Sequence, residues 1–150
     1  MGASDLIEMI IILVIGLIGG IAVGTQTPIA SAMSSRVGAA ASSVIVHLGG
    51  LVASLFLLLG NGEVRITEWR NLPWYMLGSG ALGLVLYLSI SYTMPRIGAT
   101  AAITLIVLGQ LVAGMAIDHF GFFGVTVKPV DLSRILAVGL LMAGAYLMIR

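Results

Sequence analysis

The side chains able to do chemistry in this chain are few, and nearly all lie inside long apolar runs. Ser43 and His47 are one helical turn apart, and they share a face with Gly50 and Ser54 by i, i+4, i+7, i+11 spacing. A serine beside a histidine begins a nucleophile and base. No acid at that depth would orient the imidazole, so catalysis and catalytic residues are not expected. Two roles stay open for His47: a neutral imidazole hydrogen-bonded between helices, or a cavity-lining group able to carry a proton. Gln110 is followed at four-residue steps by Gly114 and Asp118. Its carboxamide, two donors and an acceptor without charge, can bind a polar solute or join two helices. Asp118, beside His119, is either a solvated helix end or a protonation site. Gln26 stands in Thr25-Gln26-Thr27-Pro28. There the proline removes a backbone donor, which exposes polar backbone to a cavity unless neighbouring hydroxyls repair the kink. Tyr87, Ser91 and Tyr92 offer hydroxyls on another run, while Trp74 and Tyr75 have the character of interfacial anchors. The substrate-cavity candidates are thus Gln26, His47, Tyr92 and Gln110, and the candidate protonation sites are His47 and Asp118.

What is missing narrows the chemistry further. No Asp or Glu falls in the middle of an apolar run, so the usual intramembrane carboxylate for cation binding or proton antiport is not there. There is no cysteine, which removes disulfides and thiolate ligands, and His47 and His119 lie far apart in the chain without a local ligand pattern. No metal site and no cofactor are expected. A net charge of +1 gives no reason to expect a nucleic-acid partner.

The elements that must position these residues follow from composition. Of 150 residues 59% are hydrophobic and 9% charged, with a mean hydropathy of +1.15. A water-soluble domain carries about a quarter of its residues as charges, so this surface must face lipid. About 20 helical residues cross a hydrocarbon core, and counting apolar runs between breaks predicts an all-α integral membrane protein. It is one domain over 1–150 with five transmembrane helices, at 6–33, 38–59, 73–94, 97–117 and 130–149. The breaks are Ser34-Ser35-Arg36, then Gly60-Asn61-Gly62-Glu63 through Pro73, then Pro95-Arg96, then Asp118-His119 through Pro129. Ala30-Ser31-Ala32 resembles a signal-peptidase site, but acidic Asp5 and Glu8 precede a run too long for a leader, so a membrane helix is expected there. Gly16, Gly20 and Gly24, and Gly139 with Ala143, have helix-contact spacing and are first of all packing faces. No clear internal repeat is visible.

Five spans put the termini on opposite sides. Arg65, Arg70, Lys128 and Arg134 then fall on the N-terminal side and Arg36, Arg96 and Arg150 on the other, a bias of one residue. That is too small to fix an orientation by the positive-inside rule, although all six acids lie on the N-terminal side. Dual insertion would give a ten-helix antiparallel homodimer related by an axis in the membrane plane, the inverted-repeat design of many transporters.

Gly20 through Gln26 entering Gln26-Thr27-Pro28-Ile29, then Pro95-Arg96-Ile97-Gly98-Ala99, then Gly109-Gln110 with Asp118-His119-Phe120-Gly121 carry a family resemblance. The chain resembles, over its whole length, the five-helix YdcZ-like inner-membrane exporters of the drug/metabolite transporter superfamily. In that family the segment from Gln26 usually continues to an asparagine, where this chain has Ala30 and Ser31; Gln26 and Gln110 are matching positions. The resemblance implies export of small metabolites or drug-like compounds across a bacterial inner membrane, with the lipid bilayer, a small-molecule substrate and a second copy as partners. The rival reading is a non-transporting accessory or scaffold subunit whose glycine stripes assemble with another membrane protein.

Overall fold

A computed structural model describes residues 2–60 and 66–149. The predicted break at Asn61-Gly62-Glu63, and Arg65 and Arg150 of the charge count, lie outside the described residues. Among these residues the regular structure is all helical: α1 (Ala3–Val37), α2 (Ala39–Gly60), a 3-10 turn (Ile66–Asn71), α3 (Trp74–Leu77), α4 (Gly80–Ile97), α5 (Ala99–Phe120) and α6 (Leu132–Ile149). In hydrocarbon a backbone N–H or C=O has no water to bond, and a helix satisfies both within one segment. Four stretches are long and apolar enough to cross a membrane: α1, α2, α3 with α4, and α5. At 18 residues α6 is about 27 Å long, slightly under the usual hydrocarbon thickness, and it stands as a shorter apolar helix beside the predicted fifth span.

One predicted helix differs in continuity from that observed. The 73–94 helix is broken at Gly78 and Ser79, where the bonds tighten to Ala81 N–H with Gly78 C=O and Leu82 N–H with Ser79 C=O. Gly78-Ser79-Gly80 places the poorest non-proline helix former twice in three positions, so the helix restarts there. The helix predicted over 6–33 is continuous through Pro28 and longer at both ends, 35 residues or about 52 Å. The hydroxyls of Thr25 and Thr27 donate to the carbonyls of Ile21 and Val23 around the proline, at 2.8 and 2.6 Å.

The chain forms two compact units, Met1–Tyr92 and Thr93–Arg150. In the first, α1 and α2 pack antiparallel across a single connecting residue, Gly38. The buried residues are small or polar: Thr27, Ala30, Ser31, Ser42 and Ser43, joined by Tyr87 and Ile90 of α4. Lipid removes most of the hydrophobic drive between helices, so close approach and hydrogen bonds must hold the unit. Tyr87, only 5% exposed, donates its hydroxyl to the carbonyl of Ala30 at 3.0 Å and also bonds the hydroxyl of the fully buried Ser42. That pair ties α1, α2 and α4 at one point. The large aliphatic residues of α1, from Leu6 to Ile21, point outward and are suited to acyl chains.

In the second unit α5 and α6 pack together, and Thr104 of α5 donates to the sulfur of Met148 of α6. The α5–α6 hairpin begins with Gly121 in the left-handed conformation, whose N–H caps the carbonyl of Ile117. Lys128 N–H returns to the carbonyl of Asp118 at 2.9 Å, and Val130 N–H to Nδ1 of His119 at 3.2 Å. Asp131 precedes α6, and its Oδ1 accepts from the N–H of Arg134 and the hydroxyl of Ser133.

A short repeat escaped the sequence reading. Arg36-Val37-Gly38-Ala39 and Arg96-Ile97-Gly98-Ala99 make the same connection: each glycine has positive φ, +85° and +80°, and is the sole residue between two long helices. Each glycine N–H bonds the carbonyl four residues back, and each glycine carbonyl accepts from the residue four ahead, Ser42 or Ala102, both fully buried. Only glycine adopts that backbone at low cost.

Candidate functional site

Among the described residues each unit holds a cavity with polar residues in its lining. In the first unit a cavity of about 190 Å³ lies between α1, α2 and α4. Gln26 and Thr27 of α1, His47 of α2, and Gly83 and Tyr87 of α4 line it, with Val23, Val46, Leu86 and Ile90 as apolar walls. Two of the four predicted cavity residues, Gln26 and His47, are therefore brought together. His47 is close to the midpoint of α2. Its Nδ1 lies 2.7 Å from the carbonyl of Ser43, an acceptor only, so this nitrogen carries the hydrogen and donates to it. In the neutral ring this tautomer leaves a lone pair on Nε2. Nε2 abuts Gly83 so closely that a Cβ built there would lie 2.9 Å away. The glycine is thus what lets the imidazole edge enter the space between α2 and α4.

The second cavity, about 360 Å³, is a slot between α5 and α6. Gln110, Leu111, Gly114, Met115 and Asp118 line one side; Arg134, Ala137, Val138 and Leu141 line the other. Gln110 is at the midpoint of α5, so it sits at membrane depth, whereas Asp118 is in the last turn. Asp118 is paired: its Oδ2 accepts from Nη1 of Arg134 at 3.2 Å, with both side chains about one-third exposed. A third hollow, among Val52, Leu55, Phe56 and Leu59, has no polar lining.

Among the described residues neither Gln26 nor Gln110 has a hydrogen-bond partner, and both are exposed where they line their cavities. An unpaired carboxamide against acyl chains costs several kcal/mol, so a wet or ligand-filled space is the arrangement that suits both. Tyr92, the remaining candidate, is 63% exposed and lies outside both cavities.

Sequence reasoning gave no site role to Ser42, Gly83 and Arg134. The doublet Ser42-Ser43 inside an apolar run was the available signal for the first. Arg134, a charge two residues into an apolar run, was counted only for topology. Gly83 carries no sequence signal, since its role depends on which side chain faces it across α2 and α4.

Several aromatic residues cluster near helix ends and in the connections. Trp74, 83% exposed, and Tyr75 make an edge-to-face pair, Arg70 lies 5.8 Å over the ring of Trp69, and Phe120 and Phe122 stack in the α5–α6 hairpin.

These features define the class: a multi-pass α-helical membrane protein with polar cavities among its helices. The family model described as "Putative inner membrane exporter, YdcZ" matches residues 11–147, and the chain belongs to that family. It is a membrane transporter by that membership. No curated protein and no solved structure matches the chain.

Proposed function

We propose that the protein exports small metabolites or drug-like compounds across a bacterial inner membrane, by alternating access in an antiparallel homodimer. The observation that carries this reading is the pair of unpartnered carboxamides, Gln26 and Gln110, each opening on a cavity beside apolar walls. Structural glue would pair such groups; a solute pathway leaves them available. His47 adds an imidazole to the same pathway, and it and Asp118 are the groups able to take a proton. Neither unit alone surrounds a passage with two gates. A second, oppositely inserted copy supplies the missing walls, and the exposed Tyr92 belongs to the face that this copy covers.

Purified protein reconstituted alone into liposomes should carry out solute flux that falls on Gln26→Leu or Gln110→Leu. Reporters active on one side only, fused to the C-terminus, should show both orientations. Crosslinking should give antiparallel pairs. Flux only after adding a second membrane protein would sink the homodimer and favour an accessory subunit.

A further inference from the structure

The charge pair of the α5–α6 slot is not explained by helix stability. Asp118 is in the last turn of α5, where the helix dipole disfavours an anion, and Arg134 is in the first turn of α6, where it disfavours a cation. The favourable acid at the start of α6 is already supplied by Asp131, whose carboxylate accepts the N–H of Arg134. Both charges of the pair therefore oppose their own helices, and both line a cavity.

The pair leaves binding capacity unused. Among the described residues Arg134 reaches Asp118 through Nη1 alone, at 3.2 Å, with no second guanidinium nitrogen bonded to the carboxylate. Asp118 uses only Oδ2. Of the neighbouring polar groups, His119 receives Val130 N–H on Nδ1, Lys128 gives its N–H to the carbonyl of Asp118, and Asp131 is taken up by Ser133 and Arg134 N–H. The slot lining thus presents one cation, Arg134, and one anion, Asp118, side by side, with net charge zero, and Lys128 and Asp131 lie outside that lining. An ion of either sign would leave an uncompensated charge at the edge of hydrocarbon, whereas a head group bearing both signs would not.

Deeper in the slot the walls are apolar, Leu111, Met115, Val138 and Leu141, until Gln110. Eight residues of helix separate Gln110 from Asp118, about 12 Å between Cα atoms, and the reach of the side chains shortens the polar gap. A lipid acyl chain in this slot would lay methylenes on the Gln110 carboxamide and leave it unpaired. A molecule with a polar far end satisfies it.

We infer that the α5–α6 slot binds a zwitterionic amphipathic molecule of aromatic amino-acid size. Its carboxylate meets Arg134, its ammonium meets Asp118, its apolar body lies on Leu111, Met115 and Val138, and a hydrogen-bonding group at the far end meets Gln110. This names a substrate class within the transporter reading and rests on that reading for transport, though not for binding.

The test is equilibrium binding of radiolabelled L-tyrosine to the purified full-length protein, with flux into liposomes measured separately. L-Tyrosine should bind at least tenfold more tightly than its methyl ester, which lacks the carboxylate, and than N-acetyl-L-tyrosine, which lacks the ammonium. L-Phenylalanine, lacking the far hydroxyl, should bind about two- to tenfold more weakly, as for one uncharged hydrogen bond. That difference should vanish in Gln110→Leu. Arg134→Lys should keep tighter binding than Arg134→Gln. The ester or the acetylated probe binding as tightly as L-tyrosine would overturn the zwitterion assignment, and so would absence of binding by every probe, or displacement of L-tyrosine by phosphatidylethanolamine vesicles at low lipid. Binding without flux would keep this inference and refute transport. Flux of other solutes without selective L-tyrosine binding would do the reverse.

Discussion

Replacing Gly83 with alanine separates the cavity's role from the fold's stability. Position 83 is inside α4, where alanine is favoured over glycine by about 0.8–1 kcal/mol. The new Cβ would lie 2.9 Å from Nε2 of His47 and 3.7 and 3.9 Å from Cε1 and Cδ2 of the same ring. The contact at 2.9 Å is too close, so the imidazole must move. Moving it weakens the bond from Nδ1 to the Ser43 carbonyl, 2.7 Å long, at a cost of about 0.5–1.5 kcal/mol. The two effects are opposite and similar in size, and the net change in stability should stay within about 1 kcal/mol. The cavity does not share that cancellation. A methyl group and a displaced ring both enter a space of about 190 Å³, and the lone pair of Nε2 loses its position. Flux in liposomes should drop at least tenfold while thermal unfolding in detergent is almost unchanged; Gly83→Val should abolish flux. Unchanged flux in Gly83→Ala, or a stability loss above about 2 kcal/mol, would refute this reasoning, the first by removing the cavity from the pathway and the second by making Gly83 a packing residue.

Tyr87→Phe should destabilise the first unit by about 1–3 kcal/mol in denaturant unfolding, because Ser42, fully buried, loses a partner. Gly38→Ala and Gly98→Ala should each cost about 1–3 kcal/mol, since both force a side chain into positive φ; a cost below about 0.5 kcal/mol would show that the connections relax freely. A double-mutant cycle on Asp118 and Arg134 should give a coupling of no more than about 1 kcal/mol, as for other partly exposed pairs, and a much larger value would assign the pair to stability. The N–H of Arg134, then the hydroxyl of Ser133, hold the Asp131 carboxyl below its usual range. Its contribution is therefore complete above about pH 4 and lost as pH falls through the lowered value. Asp131→Asn should flatten the acid limb of a stability–pH curve, and identical acid limbs would contradict the cap.

The sequence alone determined the material of the protein, because lipid as a solvent admits so few solutions. Apolar runs of membrane length can only be helices, and helix ends fell within a few residues of the charges and glycines that punctuate them. It also singled out Gln26, His47, Gln110 and Asp118, since a polar group inside such a run is conspicuous in one dimension. The break at Gly78 and Ser79 was not legible, because it depends on how local hydrogen bonds are re-made around a poor helix former. Partners were less legible still. That His47 shares a cavity with Gln26, that Gly83 admits its ring, that Tyr87 locks Ser42 to Ala30, and that Asp118 meets Arg134 are contacts between residues on different helices. No periodicity within one helix specifies which face of another it meets. Packing decides that, and in lipid packing is governed by small side chains and a few hydrogen bonds, features that the hydropathy of a run does not reveal.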